Sequence, residues 1–268
     1  MTYKPKKCRV LEVKGINERV KLIRVKTKIN PKPGQFFEVS LPGIGECPLA
    51  SCSFNKNYVD ILLRDAGGTT SQLFKLEKGD SLYIRGPYGK GFPLAYLEEK
   101  DLVMVAGGTG IAPITSLIEY VEKNRDSFGE IKIYFGFRDE DRILLKERVD
   151  RWKKKFDLTL CLDRPGKGWE ERFKQEKGYV CDILKEKTIS FNGYKGLLCG
   201  PEQMMESTTK ELNKKGLAND KIYWSLERRM ECGVGSCGRC LIRDLYTCKD
   251  GPVFKYSKIK PGLDKEKK

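Results

Sequence analysis

The chain has 268 residues, 52 Lys and Arg against 37 Asp and Glu, a formal net charge of +15, and no histidine. That length suits two domains and a small further lobe. The absence of histidine removes imidazole as metal ligand, general base or triad member, so the chemistry falls to cofactors with cysteine and backbone as helpers.

No apolar run reaches the ~18 residues of a membrane span, and the basic start, residues 1–7, lacks the apolar stretch of a signal peptide. A cytoplasmic protein without a membrane span is expected. Lys and Glu are dispersed along helix-like segments, as on a solvated face, and no basic stripe with interleaved aromatics marks a nucleic-acid partner. A basic surface can also steer an acidic protein partner.

Residues 7–95 read as all-β. Arg9–Val13, Val20–Thr27, Gln35–Ser40, Tyr58–Leu63 and Ser81–Arg85 are short β-rich segments divided by Gly- and Pro-containing turns, including PGIG from Pro42 to Gly45 and GPYG from Gly86 to Gly89. That punctuation predicts a small antiparallel β-barrel. After Pro93 the texture changes. Apolar strands at Asp101–Ala106, Ile131–Phe137, Leu158–Leu162, Gly196–Cys199 and Ile222–Ser225 alternate with helical stretches at Pro113–Lys123, Leu144–Lys155 and Gln203–Lys214. A helical or loop segment leads to Val180–Leu184. Alternation of this kind predicts a doubly wound parallel sheet with helices on both faces. Residues 226–257 form a compact Cys- and Gly-rich lobe, and the charged tail Lys258–Lys268 is expected to lack fixed structure. The expected domains are 1–97, 98–225 and 226–268.

Four motifs carry chemistry. GGTGIAP, from Gly107 to Pro113, directly follows an apolar strand and opens a helix. Gly107, Gly108, Thr109 and Gly110 let the backbone approach a pyrophosphate at a helix N-terminus, and Pro113 is tolerated in the first turn. LCGPEQMM, from Leu198 to Met205, ends a second strand; at the carboxyl end of a doubly wound sheet Cys199 would share a crevice with Gly107–Gly110. In the β part, PLAS (Pro48, Leu49, Ala50, Ser51) precedes RDAGGTTS from Arg64 to Ser71. The latter could hold a phosphate through N–H groups at Gly67 and Gly68 and the hydroxyls of Thr69, Thr70 and Ser71; an N-capped helix in a loop is the plainer alternative.

The fourth motif is Cys232, Cys237, Cys240 and Cys248, with gaps of four, two and seven residues. C-x4-C-x2-C is the plant-type spacing for an iron–sulfur cluster held by four thiolates. Gly233, Gly235 and Gly238 leave the backbone able to wrap an inorganic core and aim N–H groups at sulfur. Four-cysteine zinc sites favour paired C-x2-4-C knuckles, and disulfides need an oxidising compartment; both remain as alternatives. The other cysteines are scattered singly, as buried apolar side chains are.

The order of β-barrel, GGTGIAP turn, CGP turn and terminal cysteine lobe resembles the ferredoxin–NADP reductase superfamily over about residues 7–256. It is most similar to subunits that end in a 2Fe–2S cluster: the sulfhydrogenase gamma subunit, the cluster-bearing subunit of anaerobic sulfite reductase, and the electron-transfer subunit of dihydroorotate dehydrogenase. The short gap before Cys248 looks more like the first two. The resemblance implies FAD, a 2Fe–2S cluster and NAD(P)H as cofactors. It places Pro48–Ser51 at the flavin ring, with Cys47 where arginine often sits and Ala50 where serine often sits. Gly67 and Thr70 match the turn at the FAD pyrophosphate, and Gly107 to Pro113 match the nicotinamide-nucleotide turn. Cys199, Gly200 and Pro201 lie beside the nicotinamide, with Met204 just beyond; Cys199 helps place the ring and is no nucleophile, for want of an activating base. Arg138, after the strand FGF, flanks the ribose, where Asp139 and Asp141 could favour an unphosphorylated sugar. The implied activity is an NAD(P)H-dependent oxidoreductase subunit of a hetero-oligomer, passing electrons to a hydrogenase- or sulfite-reductase-type partner. The alternatives are the pyrimidine-synthesis subunit and, from another class, a basic zinc module that binds nucleic acid.

Overall fold

A computed structural model of the chain describes residues 3–166 and 175–266. Its contacts divide it into two compact units: Met1–Phe92 with Thr115–Lys123 and Leu226–Val253, and Pro93–Ile114 with Asn124–Ser225 and Phe254–Lys268. The cysteine segment thus belongs to the barrel's unit.

In the first unit, strands β1 (Lys6–Asn17), β2 (Val20–Lys26), β3 (Phe36–Leu41), β4 (Gly45–Ala50), β5 (Tyr58–Arg64) and β6 (Ser81–Tyr88) form a six-stranded sheet in the order β4-β3-β6-β1-β2-β5, with helix α1 (Thr69–Leu73) between β5 and β6. Every pairing for which a register is seen is antiparallel, and a bridge from Ser51 to Ile61 joins the two edges into a barrel. Alternating residues such as Val10, Ile23, Val25, Val39, Ile61, Leu63 and Ile84 fill the interior. Strand β4 is absent from the strands expected from sequence, because its Gly45 closes the PGIG turn and its Pro48 is a poor strand former. It lies at the edge of the sheet, the position where proline's missing N–H removes no ladder bond.

In the second unit, α2 (Leu94–Leu97) leads to β7 (Leu102–Gly107), α3 (Ile111–Lys123, whose later residues group with the barrel), β8 (Ile131–Phe137), α4 (Lys146–Lys153), β9 (Asp157–Leu162), β10 (Gln175–Lys177), α5 (Val180–Glu186), β11 (Lys195–Cys199), α6 (Glu202–Lys214) and β12 (Ile222–Ser225). Residues 167–174 of the segment expected before Val180 lie outside the described residues. The short elements β13 (Leu241–Ile242), β14 (Leu245–Tyr246) and α7 (Thr247–Asp250) belong to the cysteine segment, and β15 (Val253–Lys255) and α8 (Tyr256–Glu266) complete the chain's elements.

The seven-stranded sheet runs β10-β9-β8-β7-β11-β12-β15, with parallel pairing from β10 through to β12. Strand β7 is buried at every position, as a central strand covered on both faces must be. Helix α6 buries Met205, Thr208, Thr209 and Leu212, the i, i+3, i+4, i+7 stripe of an amphipathic helix. The chain proceeds outward from β7 to β8 and β9, then returns to lay β11 on the other side of β7. That reversal is the switch point at which such sheets bind ligands. Among the described residues no helix is long and apolar enough to cross a membrane.

The tail corrects an expectation. It is helical through Glu266, with Ile259 and Leu263 buried and Tyr256 stacked on Trp224 at 4.5 Å between ring centroids. The charged residues hide a short apolar stripe. Ile259→Ala should therefore cost about 2–4 kcal/mol, read as a lower urea midpoint, whereas an unpacked tail would leave the midpoint unchanged.

Candidate functional site

The second unit brings two predicted motifs together. Cys199 pairs with Ala106 in the β11–β7 register, so the turns after both strands emerge side by side. The glycine turn is a single 3-10 turn, Gly108–Gly110, that runs into α3; Gly110 and Pro113 are buried and Gly108 is exposed. The two turns touch through their backbones. A Cβ on Gly110 would meet the Cys199 carbonyl oxygen at 2.6 Å and the Gly200 Cα at 2.7 Å. A Cβ on Gly107 would crowd the Met204 sulfur and meet Pro201 Cδ at 3.4 Å. Gly200 has φ +151°, and a Cβ there would meet Gly107's N at 3.0 Å. Glycine at 110 and 200 is thus a steric requirement, while at 107 the close neighbour is the flexible end of Met204, which is placed against the turn. Cys199 is buried. Arg138 is exposed just past the end of β8, the strand beside β7. Asp139 accepts a bond from the Arg142 N–H, so its carboxylate caps the following turn.

In the first unit, Pro48, Leu49 and Ala50 lie half-buried on edge strand β4. Ser51 is buried and its hydroxyl donates to the Ser53 carbonyl at 2.9 Å. Arg64 is exposed at the end of β5. In the turn that follows, Gly67 and Gly68 have φ +95° and +54° with open space around them. The Thr70 hydroxyl donates to the Gly67 carbonyl at 2.8 Å and accepts from the Ala66 N–H at 2.9 Å. Asp65 accepts from the Ser71 hydroxyl and the Gly67 N–H, which together lower its carboxyl below the usual range. Thr70 and Ser71 therefore build the turn, their hydroxyls engaged within it.

The cysteine segment is built to hold charged sulfur. Cys232 Sγ accepts from the N–H groups of Val234 at 3.4 Å and Ser236 at 3.3 Å. Cys248 Sγ accepts from Gly235 at 3.1 Å, and Cys240 Sγ from the Cys248 N–H at 3.5 Å. Gly233, Gly235 and Gly238 all have φ near +78°, which makes this winding possible. Burial opposes ionisation of Cys232, but the N–H donors of Val234, Cys237 and Ser236 prevail and bring its thiol down to about 6. Cys237 is exposed, while Cys240 and Cys248 are buried. None of the ten cysteines forms a disulfide, so that alternative falls. Among the described residues no three His, Cys, Asp or Glu side chains close on a single metal-ion position. A nest of N–H donors around several thiols is the environment an iron–sulfur cluster takes, and the residues present fit it.

Beside this loop lie residues the sequence did not flag. Arg85, on β6, forms a two-pronged ion pair with Glu46 on β4 and donates to the Tyr88 hydroxyl at 3.1 Å. It also donates to the carbonyls of Cys232, at 2.7 Å, and Glu231. Glu38, opposite Arg85 in the β3–β6 register, is fully buried with neither carboxyl oxygen bonded. Burial pushes its carboxyl up to about 8, against the attraction of Arg85. The only local sign of Glu38 was a lone acid inside the apolar run FFEV.

These geometries are those of a reductase of the ferredoxin–NADP reductase type: an antiparallel barrel followed by a parallel nucleotide-binding sheet with adjoining turns at its switch point. Residues 104–210 match the family described as oxidoreductase NAD-binding domain, and residues 227–260 the iron–sulfur cluster binding domain of dihydroorotate dehydrogenase B. The chain is 34% identical over 276 residues to sulfhydrogenase 2 subunit gamma of Pyrococcus furiosus, covering 95% of this chain and 96% of that one. It is 35% identical over 260 residues to the probable dihydroorotate dehydrogenase B (NAD(+)) electron transfer subunit of Methanocaldococcus jannaschii, covering 96% and 92%. In fold it resembles an NADH-dependent reduced ferredoxin–NADP oxidoreductase, with TM-score 0.75, 22% identity and coverage of 96% and 93%. It also resembles a ferredoxin–NADP+ reductase of Neisseria gonorrhoeae solved with FAD and NADP, with TM-score 0.70, 18% identity and coverage of 82% and 98%. The chain belongs to the family of sulfhydrogenase gamma subunits and dihydroorotate dehydrogenase B electron transfer subunits.

Two outcomes follow. Gly110→Ala forces the two turns apart and should weaken NAD(P)H binding by about tenfold or more, or about 1.4 kcal/mol, by fluorescence titration. Glu38 binds its proton more tightly in the folded chain (about 8) than its ordinary value of 4.5 allows. Its stabilising contribution is complete below pH ~4.5 and is lost as pH rises through about 8. Glu38→Gln should flatten the fall in melting temperature over that interval; an unchanged pH profile would show Glu38 to be ionised.

Proposed function

We propose that this protein passes electrons between NAD(P)H and a partner redox subunit of the hydrogenase or sulfite reductase type in the cytoplasm, through bound FAD and a 2Fe–2S cluster. The observation that carries this reading is the set of N–H donors aimed at Cys232, Cys240 and Cys248, on the same unit as the Pro48–Ser51 strand and the Gly67–Thr70 turn.

The chain's own residues have three tasks. The first is to bind the nicotinamide nucleotide. Gly107, Gly108, Thr109 and Gly110 present backbone N–H groups and the start of α3 to the pyrophosphate, and Arg138 flanks the ribose. Cys199, Gly200 and Pro201 form the opposing wall, with Met204 closing the space behind Gly107. The second task is to seat the flavin. Pro48, Leu49 and Ala50 lie along the ring, with buried Ser51 bracing the strand through Ser53, while Arg64, Gly67, Gly68 and Thr69 hold its diphosphate and Thr70 and Ser71 brace the turn. With Cys47 and Ala50 in this strand, the charge and hydroxyl that other members supply there are absent, and backbone groups orient the ring. The third task is to hold the diiron core on Cys232, Cys237, Cys240 and Cys248, with Cys237 as the exposed ligand toward the partner. The bound flavin supplies the change from two-electron to one-electron transfer, and no side chain here needs to move a proton as a histidine would.

The match of residues 227–260 favours a second reading, the electron-transfer subunit of a dihydroorotate dehydrogenase. Co-purification of the untagged protein from its native source separates the two by the subunit it brings down.

Cys237→Ser tests the relay. NAD(P)H should still bleach the flavin at close to the wild-type rate, while reduction of the partner subunit falls by about a hundredfold or more, a loss of about 2.7 kcal/mol in transition-state terms. Survival of both half-reactions would show that electrons leave by another route. A colourless zinc-loaded protein that binds nucleic acid would replace the reading altogether.

A further inference from the structure

We propose that Arg85 is a positioning residue that sets the reduction potential of the cysteine loop, working against Glu46, the solvent-side pole of a charge pair whose cation is buried. The inference rests on the reading of Cys232–Cys248 as an iron–sulfur loop and adds to it the residues that tune it.

A guanidinium has five N–H donors in a rigid fork. At Arg85 all five are committed: two to the Glu46 carboxylate, one to the Tyr88 hydroxyl, and one each to the carbonyls of Cys232 and Glu231. The side chain is only 8% exposed, so water competes for none of them. A surface ion pair does not need this degree of satisfaction; a cation held under a loop of thiolates does. The two carbonyls it binds flank the first cysteine. While the guanidinium holds them, their negative ends cannot turn toward sulfur, where they would oppose an added electron.

The neighbouring ionisable groups sharpen the point. Glu38 faces Arg85 across β3 and β6, yet its oxygens remain unbonded because the fork is full. A buried carboxyl without a partner keeps its proton. Cys47, next to Glu46 on β4, is a neutral thiol, and Tyr88 is a neutral phenol. The Glu231 carboxylate turns instead to Arg229 at 3.0 Å and Arg239 at 3.4 Å. A second pair, Lys90 with Asp250 at 3.5 Å, joins barrel and loop through an exposed lysine, so the charges fixed beside the first cysteine are Arg85 and Glu46. Coulomb's law gives them opposite signs of effect on an electron placed at the loop; low exposure keeps the Arg85 effect from being screened, while solvent weakens that of the exposed Glu46.

The step involved is the transfer of one electron from a reduced flavin, or from a chemical reductant in a titration, to the group held by the loop, with no bond made or broken in the protein. Arg85 favours the reduced state and Glu46 the oxidised one.

The test is a potentiometric titration of the whole protein at pH 6, where Glu38 stays neutral, followed by the low-temperature EPR signal of the reduced cluster. Arg85→Gln should shift the reduction equilibrium about tenfold toward the oxidised form, which is 59 mV for one electron. Glu46→Gln should shift it the other way by a smaller factor. The double variant should return part of the way to wild type, and Arg85→Lys should fall between wild type and Arg85→Gln. A purely architectural Arg85–Glu46 pair predicts that both single variants move the equilibrium in the same direction or not at all, and either result overturns the proposal. Should Arg85→Gln fail to fold, Glu46→Gln decides alone: an unmoved or lowered potential overturns it. No iron–sulfur signal in wild type would remove the underlying reading as well, which is distinguishable from a normal signal that ignores both substitutions.

Discussion

One guanidinium ties β4, the strand that carries Pro48, Leu49 and Ala50, to the peptide groups at Glu231 and Cys232. Arg85 comes from β6, Glu46 from β4, and the carbonyls it grips from Glu231 and Cys232. Without that tie, a glycine-rich loop with short elements β13, β14 and α7 would have little to fix it, since few apolar side chains lie there. Phe36, Tyr88 and Met230 supply the small apolar floor, with Cys240 and Cys248 buried against it. Replacing the polar tie by apolar packing could serve stability equally well. Its retention makes sense where position and charge matter to what the loop holds.

The nucleotide side follows a different constraint, that of backbone meeting backbone. Gly110 abuts the Cys199 carbonyl and Gly200 abuts Gly107, so two turns from non-consecutive strands pack with no side chain between them. This is possible only because β11 returns to the side of β7 opposite β8, putting both strand ends at the sheet's reversal. The resulting wall is rigid and rich in N–H groups, and Met204 is its one large flexible side chain. A protein with no histidine places its chemistry in bound groups, and its own contribution is of this kind: spacing, donors and exclusion of water.

Much of this was legible in the sequence, for local reasons. Short β-rich segments and turn residues located five barrel strands, and the apolar runs Asp101–Ala106, Ile131–Phe137 and Ile222–Ser225 located three strands of the sheet to within a residue. Cysteine spacing and the three glycines between Cys232 and Cys240 marked the loop. What escaped was of three kinds. Strand β4 was hidden because proline and glycine signal turns, and only the edge position of the strand accommodates them. Helix α8 was hidden because its lysines outweigh Ile259 and Leu263. The Arg85–Glu46–Glu38 group was hidden because its members lie 39 to 147 residues from their partners, and no local pattern encodes contacts of that range.

The central claim is that four thiolates and a flavin seat share one polypeptide unit. Iron, acid-labile sulfide and flavin in protein purified anaerobically from its native source measure it most directly. We expect about two irons, two sulfides and one FAD per chain, with stoichiometric loss of iron when the cluster cysteines are replaced. Zinc in place of iron, or iron without flavin, would contradict it.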